Sequence, residues 1–162
     1  MPVLLCFEIN FVDLANLLGR YGLECKQVAA DQEIPGSWFG ETEAGLIGNK
    51  VYFKLATPVH SVLHESCHYI CMDEVRRQQL HTNAGGDYAE ENGVCYLQII
   101  FADYIPGFGR DRAFQDMDEW GYTFRLGSSR AWFEQDAEDA QAWLLMQGVI
   151  NSNGQPTWNF RQ

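Results

Sequence analysis

The sequence predicts an α+β fold: one domain over residues 1–162, in which a small mixed or antiparallel sheet packs on a few helices. Three observations predict it. Apolar residues make up 46% of the 162 positions and aromatic residues 14%, which is enough for a core. Several segments space their apolar side chains at helical intervals, and one segment reads as two short strands around a turn. No repeat, low-complexity run or linker divides the chain into two halves.

The first half of the chain is predicted to contain a helix, a strand pair and a second helix. Residues 11–21 place three leucines at helical spacing. Residues 45–55 read as two short strands around a glycine-containing turn. The second helix starts at Thr57 and Pro58, because threonine is a common N-cap and proline suits the first helical position. This helix runs to about residues 74–79.

The second half is predicted to be mainly helical. A strong helix spans roughly residues 87–104, and a last helix spans roughly residues 130–147 with an apolar inner stripe. Residues 120–126 are predicted to form a strand. The tail after Asn151 is expected to be loosely ordered, as chain ends often are.

The charge balance excludes some classes of partner. The formal net charge is -11, from 22 acidic and 11 basic residues. An acidic surface repels phosphate backbones, so nucleic-acid binding is not expected, whereas a basic or neutral substrate is easier to accommodate. The apolar stretch at residues 94–101 is too short to cross a bilayer, so a membrane role is not expected either.

The N-terminal sequence and the cysteines indicate the cytoplasm. The first residues lack the basic start and the small-residue cleavage site of a signal peptide. The chain has five cysteines, an odd number without tight pairing. This pattern argues against a disulfide framework and fits a reducing compartment. The sequence carries no signal of oligomeric state.

The segment that points to chemistry is His64-Glu65-Ser66-Cys67-His68, an H-E-x-x-H pattern within the second predicted helix. Residues four apart lie on one face of a helix, so both imidazoles can reach one ion. Neutral imidazole nitrogens are good ligands for Zn²⁺. Glu65 lies beside the first ligand, close enough to take a proton from a water molecule. The pattern therefore predicts a catalytic zinc site with Glu65 as general base.

A catalytic zinc ion usually takes three protein ligands, so a third ligand is expected downstream. Glu90 lies 22 residues after His68, near the start of the helix predicted over residues 87–104. It shares its helical face with the apolar side chains Val94, Leu97 and Phe101. A ligand must point inward, as those side chains do, so Glu90 is the preferred third ligand.

Two other carboxylates remain open as the third ligand. Glu91 continues through Cys95 and Gln98, a less apolar face, and would serve only if the helix were turned to bury those two residues. Asp87 has a shorter side chain and is better explained as the N-cap of the helix.

The pattern resembles the gluzincin group of zinc metallopeptidases, in which H-E-x-x-H is completed by a glutamate on a following helix. More narrowly, the string Glu90-Glu91-Asn92-Gly93-Val94-Cys95 and the later Tyr104-Ile105-Pro106 are similar to elements of the ImmA/IrrE-type family. The likeness covers residues 51–106, about a third of the chain. The resemblance implies a compact zincin-like fold with a sheet above the motif helix. It also implies a protein or peptide substrate, often a regulatory protein.

Hydrolysis of a peptide bond would need further groups. An edge strand, with residues 51–54 as candidate, would hold the substrate extended by β-augmentation. Asp73, Tyr88 and Asn92 remain open as partners that orient the histidines. Tyr104 and His81 are candidates for stabilising the oxyanion.

A rival hypothesis is a zincin-fold regulatory or protein-binding module without catalysis. A chain of 162 residues leaves little room for the extra subdomain that usually walls a substrate cleft. A water-occupied fourth position on the metal would favour the enzyme over a structural zinc site.

Overall fold

A computed structural model of the chain describes residues 2–37, 42–81 and 85–162. These ranges form an α+β fold with seven α-helices and one small mixed sheet. In chain order the elements are α1 (Phe11–Gly19), β1 (Glu24–Gln27), β2 (Gly45–Ile47), β3 (Lys50–Phe53), α2 (Val59–Cys71), α3 (Glu74–Gln78), α4 (Tyr88–Ala102), α5 (Gly109–Trp120), α6 (Ser129–Gln135) and α7 (Glu138–Met146). One hydrophobic cluster, from Leu4 to Ile150, joins the helices to the sheet.

The sheet has the strand order β1-β3-β2, so β3 is its central strand. β1 pairs with β3 in parallel and β2 pairs with β3 antiparallel, with Cys25 and Leu46 both opposite Val51. Val51 and Phe53 are buried where the sheet packs on α2. The strand pair predicted over residues 45–55 is confirmed. The prediction that residues 51–54 form an edge strand is wrong, because β1 covers that side of β3.

The helix predicted from Thr57 to residues 74–79 is two helices. Met72 and Asp73 adopt extended backbone angles, and the Asp73 carboxylate caps α3 by accepting from the backbone N–H of Arg76 at 2.9 Å. The predicted N-cap is also wrong. The Thr57 hydroxyl accepts from the backbone N–H of Lys54 at 2.8 Å, and α2 begins at Val59.

The region after α4 differs most from the prediction. The strand predicted over residues 120–126 is wrong, because α5 extends through Trp120 and Gly121 ends it in the left-handed region at φ 105°. A 3-10 turn at Arg125–Gly127 follows. The helix predicted over residues 130–147 is divided into α6 and α7 at Asp136, whose carboxylate pairs with the Arg125 guanidinium at 2.6 Å.

α4 is the central helix, and it packs against α2, α5 and α7. From Gly93 to Ala102 every residue is buried, so the helix has no solvent-facing side over that span. Gly93 allows α7 to approach closely, since a Cβ there would lie 2.7 Å from the Trp143 ring.

The C-terminal tail packs onto the helices instead of being loosely ordered. The Trp158 ring stacks on Phe101 with centroids 6.3 Å apart. The backbone N–H of Arg161 donates to the carbonyl of Ile70 at 3.0 Å. Across the parts of the chain that the structure describes, no helix is both long and apolar enough to cross a bilayer.

Candidate metal centre

His64 and His68 lie on one face of α2, as the pattern predicts. Their Nε2 atoms are 3.2 Å apart, and the two rings meet edge to face with centroids 4.7 Å apart. His68 is buried and His64 is partly buried. The four-residue spacing along the helix is therefore enough to bring two imidazole nitrogens to one point.

The third side chain at this point is Glu91. One carboxylate oxygen lies 3.2 Å from Nε2 of His64, and the other lies 3.2 Å from Nε2 of His68. The three residues offer ligand atoms that all lie within 4.8 Å of one another. Around a tetrahedral zinc ion with ligands at about 2.0–2.1 Å, ligand atoms are separated by about 3.3 Å. Two imidazole nitrogens and a carboxylate at these separations fit a zinc ion in chemistry and in spacing.

The structure does not bring Glu90 to the histidine pair, in contrast to the preference drawn from helical periodicity. Glu90 is 1% exposed and lies between two arginines. Its carboxylate accepts from Arg76 at 2.5 Å and from Arg161 at 2.9 Å. These two guanidiniums compensate its charge, so Glu90 joins α4 to α3 and to the C-terminal tail. The apolar spacing did not indicate which side of α4 faces α2, because every residue from 93 to 102 is buried.

Asp87 also lies outside the histidine group. Its side chain accepts from the backbone N–H of Glu90 at 2.9 Å, which makes it the N-cap of α4. The alternative explanation of Asp87 as a helix cap is therefore confirmed. Of the three carboxylates considered from the sequence, Glu91 alone joins His64 and His68 in the group that can hold a metal.

Gln98 determines which nitrogen of His64 carries the proton. The Gln98 amide nitrogen donates to the backbone carbonyl of His60 at 3.1 Å, and this fixes the orientation of the amide. The amide oxygen then lies 2.8 Å from Nδ1 of His64 and can only accept. Nδ1 of His64 is therefore the donor, and in the neutral ring Nε2 keeps its lone pair toward Glu91 and His68.

Gln98 takes the orienting role for which Asp73, Tyr88 and Asn92 were considered. Asp73 caps α3, and Tyr88 is 76% exposed. Among the described residues, His68 has no hydrogen-bond partner for its Nδ1. The orienting contact is thus resolved for one histidine of the pair.

The pKa values of the three residues shift in different directions. Burial, with a smaller contribution from the neighbouring His64, lowers the pKa of His68 to about 4. Burial also disfavours the charged form of His64, but Tyr122, Cys95 and Glu91 outweigh it and hold its pKa well above the usual value. Burial disfavours the ionised form of Glu91, yet the hydrogen bond to His64 and the two histidines lower its pKa. His64 and Glu91 thus each favour the charged form of the other, whereas burial favours the neutral form of His68.

Glu65 lines a cavity of about 350 Å³ that also contains His64 and Glu91. Burial raises the pKa of Glu65 to about 7; His64 opposes this shift, and Glu43 and Glu91 add to it. A carboxylate that titrates near neutral pH suits proton transfer in either direction. The cavity thus places a general-base candidate beside two of the three metal-ligand candidates.

The other cavity walls come from segments that the sequence analysis missed. They include Glu43, which precedes β2, and Trp120 and Tyr122, which flank the end of α5. The Tyr122 ring meets His64 edge to face at 5.6 Å, and burial raises the Tyr122 pKa to about 12. In the sequence, the two aromatic residues on either side of Gly121, Trp120 and Tyr122, are the feature that could have indicated this wall.

Tyr104 and His81, the residues considered for oxyanion stabilisation, lie elsewhere. Tyr104 is 41% exposed and its ring packs against Trp158 at 5.4 Å. His81 is exposed and forms an isolated bridge with Ile47. Neither residue lines the cavity at the histidine pair.

Comparison with known proteins gave no match: no protein-family model, no curated protein and no solved structure resembles the chain closely enough to assign it. The geometry of the site is therefore the basis on which a function can be assigned.

Proposed function

We propose that the chain is a zinc-dependent peptidase, with His64, His68 and Glu91 as the metal ligands and Glu65 as the general base. The observation that carries the proposal is the convergence of three side chains next to Glu65: the two histidine Nε2 atoms lie 3.2 Å apart, and each lies 3.2 Å from one oxygen of Glu91. Two imidazoles and one carboxylate are a common ligand set for catalytic zinc, and they leave a position for water. The wider gluzincin-like hypothesis is kept, with Glu91 in place of Glu90.

The proposed chemistry divides between the metal and the chain. A zinc ion bound here would acidify a water molecule and polarise the scissile carbonyl. Glu65 would accept the proton of the attacking water and return it to the leaving amine. Gln98 holds His64 in the tautomer that presents Nε2 to the metal. The Tyr122 phenol, neutral at physiological pH, lines the same cavity, and its hydroxyl lies 3.3 Å from Nδ1 of His60.

A purely structural zinc site is less well supported. Such sites usually have four protein ligands, whereas the candidate group among the described residues has three. The group also borders a cavity that contains a carboxylate with a near-neutral pKa, which a structural site does not need. These two features favour catalysis.

The test combines metal analysis with a cleavage assay. We expect about one zinc per chain by elemental analysis, and loss of zinc in the His64→Ala/His68→Ala double variant. His81→Ala, which changes an exposed histidine outside the cavity, is the matched control and should keep the metal. Cleavage is measured by mass spectrometry on a mixed peptide library with each protein.

The outcomes separate the competing functions. Zinc binding with cleavage that disappears in the double variant supports the peptidase. Full zinc retention in the double variant contradicts the site. Zinc binding through the pair without any cleavage favours a zincin-fold regulatory or protein-binding module.

A further inference from the structure

Glu43 is a fixed carboxylate in the wall of the candidate active-site cavity. It accepts a hydrogen bond from the Ser61 hydroxyl at 2.7 Å and another from the Trp120 indole N–H at 2.9 Å. The Ser61 oxygen also accepts from the backbone N–H of Ala44 at 2.9 Å. These contacts hold the segment before β2 against α2 and the end of α5. The Glu43 carboxylate is therefore positioned in advance of any ligand.

The position of Glu43 relative to the reaction centre follows from α2. Ser61 precedes Glu65 by four residues, so the two side chains are neighbours on one helical face, with Cβ atoms about 5–6 Å apart. Because Glu43 is bound to Ser61, its carboxylate lies about one helical turn from the proposed general base. Glu43 and Glu65 also line the same cavity. A group bound at Glu43 would thus flank the scissile bond.

The negative charge of Glu43 is not compensated within the described residues. Its two donors are neutral, and no Lys, Arg or His of the described ranges pairs with it. A carboxylate offers about four acceptor positions, so two remain for a ligand. The Trp120 and Tyr122 rings line the same cavity, and aromatic faces attract cations.

We propose that Glu43 is a specificity residue that binds a cationic group of the peptide substrate, an ammonium or a guanidinium. This inference rests on the proposed peptidase function and names the substrate class for that site. The cation is supplied either by a free N-terminus or by a Lys or Arg side chain. Charge-assisted hydrogen bonds to the two unused acceptor positions of Glu43, inside a cavity with aromatic walls, give the preference for a cation.

The test measures peptide binding without turnover, using the zinc-loaded Glu65→Gln protein and isothermal titration calorimetry. One pair of probes is tetra-alanine amide with a free or an acetylated N-terminus. The second pair is an acetylated penta-alanine amide carrying Lys or norleucine at its centre. We expect the cationic member of at least one pair to bind roughly tenfold or more tightly, the size of a hydrogen bond to a charged group. The pair that responds identifies the source of the cation.

Two substitutions connect the preference to Glu43. Glu43→Gln keeps the shape and an acceptor oxygen but removes the charge, so it should abolish the preference for the cationic probe. Glu119→Gln is the matched control, because it removes the same charge from an exposed residue beside Trp120 that does not line the cavity. It should leave the preference unchanged.

The result that would overturn the inference is equal binding of the charged and neutral members in both pairs. A preference that persists in Glu43→Gln, or disappears in Glu119→Gln as well, would overturn it too. If Glu43→Gln does not fold, Glu43→Asp takes its place: it keeps the charge but withdraws the carboxylate by one methylene, and it should weaken the preference for the cationic probe. Failure of the proposed function is distinguishable, since it appears as absent zinc or as no cleavage of any peptide.

Discussion

Gln98 lies two helical turns after Glu91 on the same face of α4, so both side chains contact the ring of His64. Glu91 approaches Nε2 at 3.2 Å, and Gln98 accepts from Nδ1 at 2.8 Å. The seven-residue spacing brings them to the same side of the helix. α4 therefore supplies both the third candidate ligand and the group that sets the tautomer of the first.

Replacing Gln98 by methionine should lower the zinc affinity about 10–100-fold, the usual cost of losing a partner that orients a metal ligand. The variant keeps the side-chain length but removes the acceptor for Nδ1 of His64. Affinity is measured by competition with a chromophoric chelator. Gln98→Glu, which keeps an acceptor oxygen at that position, should retain more affinity than Gln98→Met. Wild-type affinity in Gln98→Met would show that the contact does not tune the site.

Glu91→Gln and Glu90→Gln form a matched pair. The two residues are neighbours in the first turn of α4, and each substitution removes one negative charge. Glu91→Gln should lose more zinc affinity than the roughly 10–100-fold that an orienting partner costs, because it removes a ligand. Glu90→Gln should bind zinc but lose about 2 kcal/mol of unfolding free energy, the size of a hydrogen bond to a charged group. The loss comes from removing the charged acceptor of Arg76 and Arg161; Arg76 keeps Asp73 as a partner at 3.6 Å.

Zinc stoichiometry and urea unfolding of the two variants separate these effects. Loss of the metal in Glu90→Gln, with retention in Glu91→Gln, would restore the assignment made from helical periodicity. Because both substitutions replace a carboxylate by an amide of the same shape, steric differences do not complicate the comparison.

The predictable parts of the fold are the segments whose own residues show the pattern of a helix or a strand pair. α1 and α4 have apolar residues at helical spacing, and β2 and β3 flank a glycine-containing turn. β1 was missed because Glu24–Gln27 is polar and joins the sheet only through its pairing with β3. α5 was missed because few of its residues are buried and its charged positions obscure the apolar spacing.

The candidate site was also predictable only in part. His64 and His68 were predictable, since their approach depends only on the four-residue repeat of one helix. The choice between Glu90 and Glu91 depends on the rotation of α4 about its axis. That rotation is set by the packing of α4 against α2, α5 and α7 and by Arg161, which binds Glu90 and lies 71 residues after it in the sequence. No pattern within α4 contains this information.

Glu65→Gln should retain zinc but lose peptide cleavage by about a hundredfold or more, the usual contribution of a general base. Gln preserves the shape of the side chain and cannot accept the proton. Zinc content by elemental analysis and cleavage rate by mass spectrometry are measured on the same preparation. A cleavage rate equal to that of the native chain would remove Glu65 from the mechanism, and loss of zinc would indicate that Glu65 supports the metal site instead.

The last prediction concerns the pH dependence of stability and the buried residue His60. His60 is 1% exposed, its Nδ1 lies 3.3 Å from the Tyr122 hydroxyl, and its ring packs against Trp120 at 5.2 Å. Burial, with a smaller contribution from the nearby His64, lowers the pKa of His60 to about 3. The folded protein therefore keeps His60 neutral through the mildly acidic range.

The unfolded chain binds a proton at His60 once the pH falls below about 6.5, whereas the folded protein does not until about pH 3. The stability associated with neutral His60 is thus fully present above pH 6.5 and is lost progressively toward pH 3. Because the unfolded chain binds one more proton than the folded protein, the unfolding free energy falls by about 2 kcal/mol between pH 6.5 and pH 5.

His60→Phe keeps an aromatic ring and removes the titrating group. The unfolding free energy of the metal-free variant should therefore fall by about 2 kcal/mol less than that of the native chain over that interval. Urea unfolding at the two pH values measures the difference, and His81→Phe, at an exposed position, should behave like the native chain. An equal pH-dependent loss in His60→Phe and the native chain would contradict the assignment of this dependence to His60.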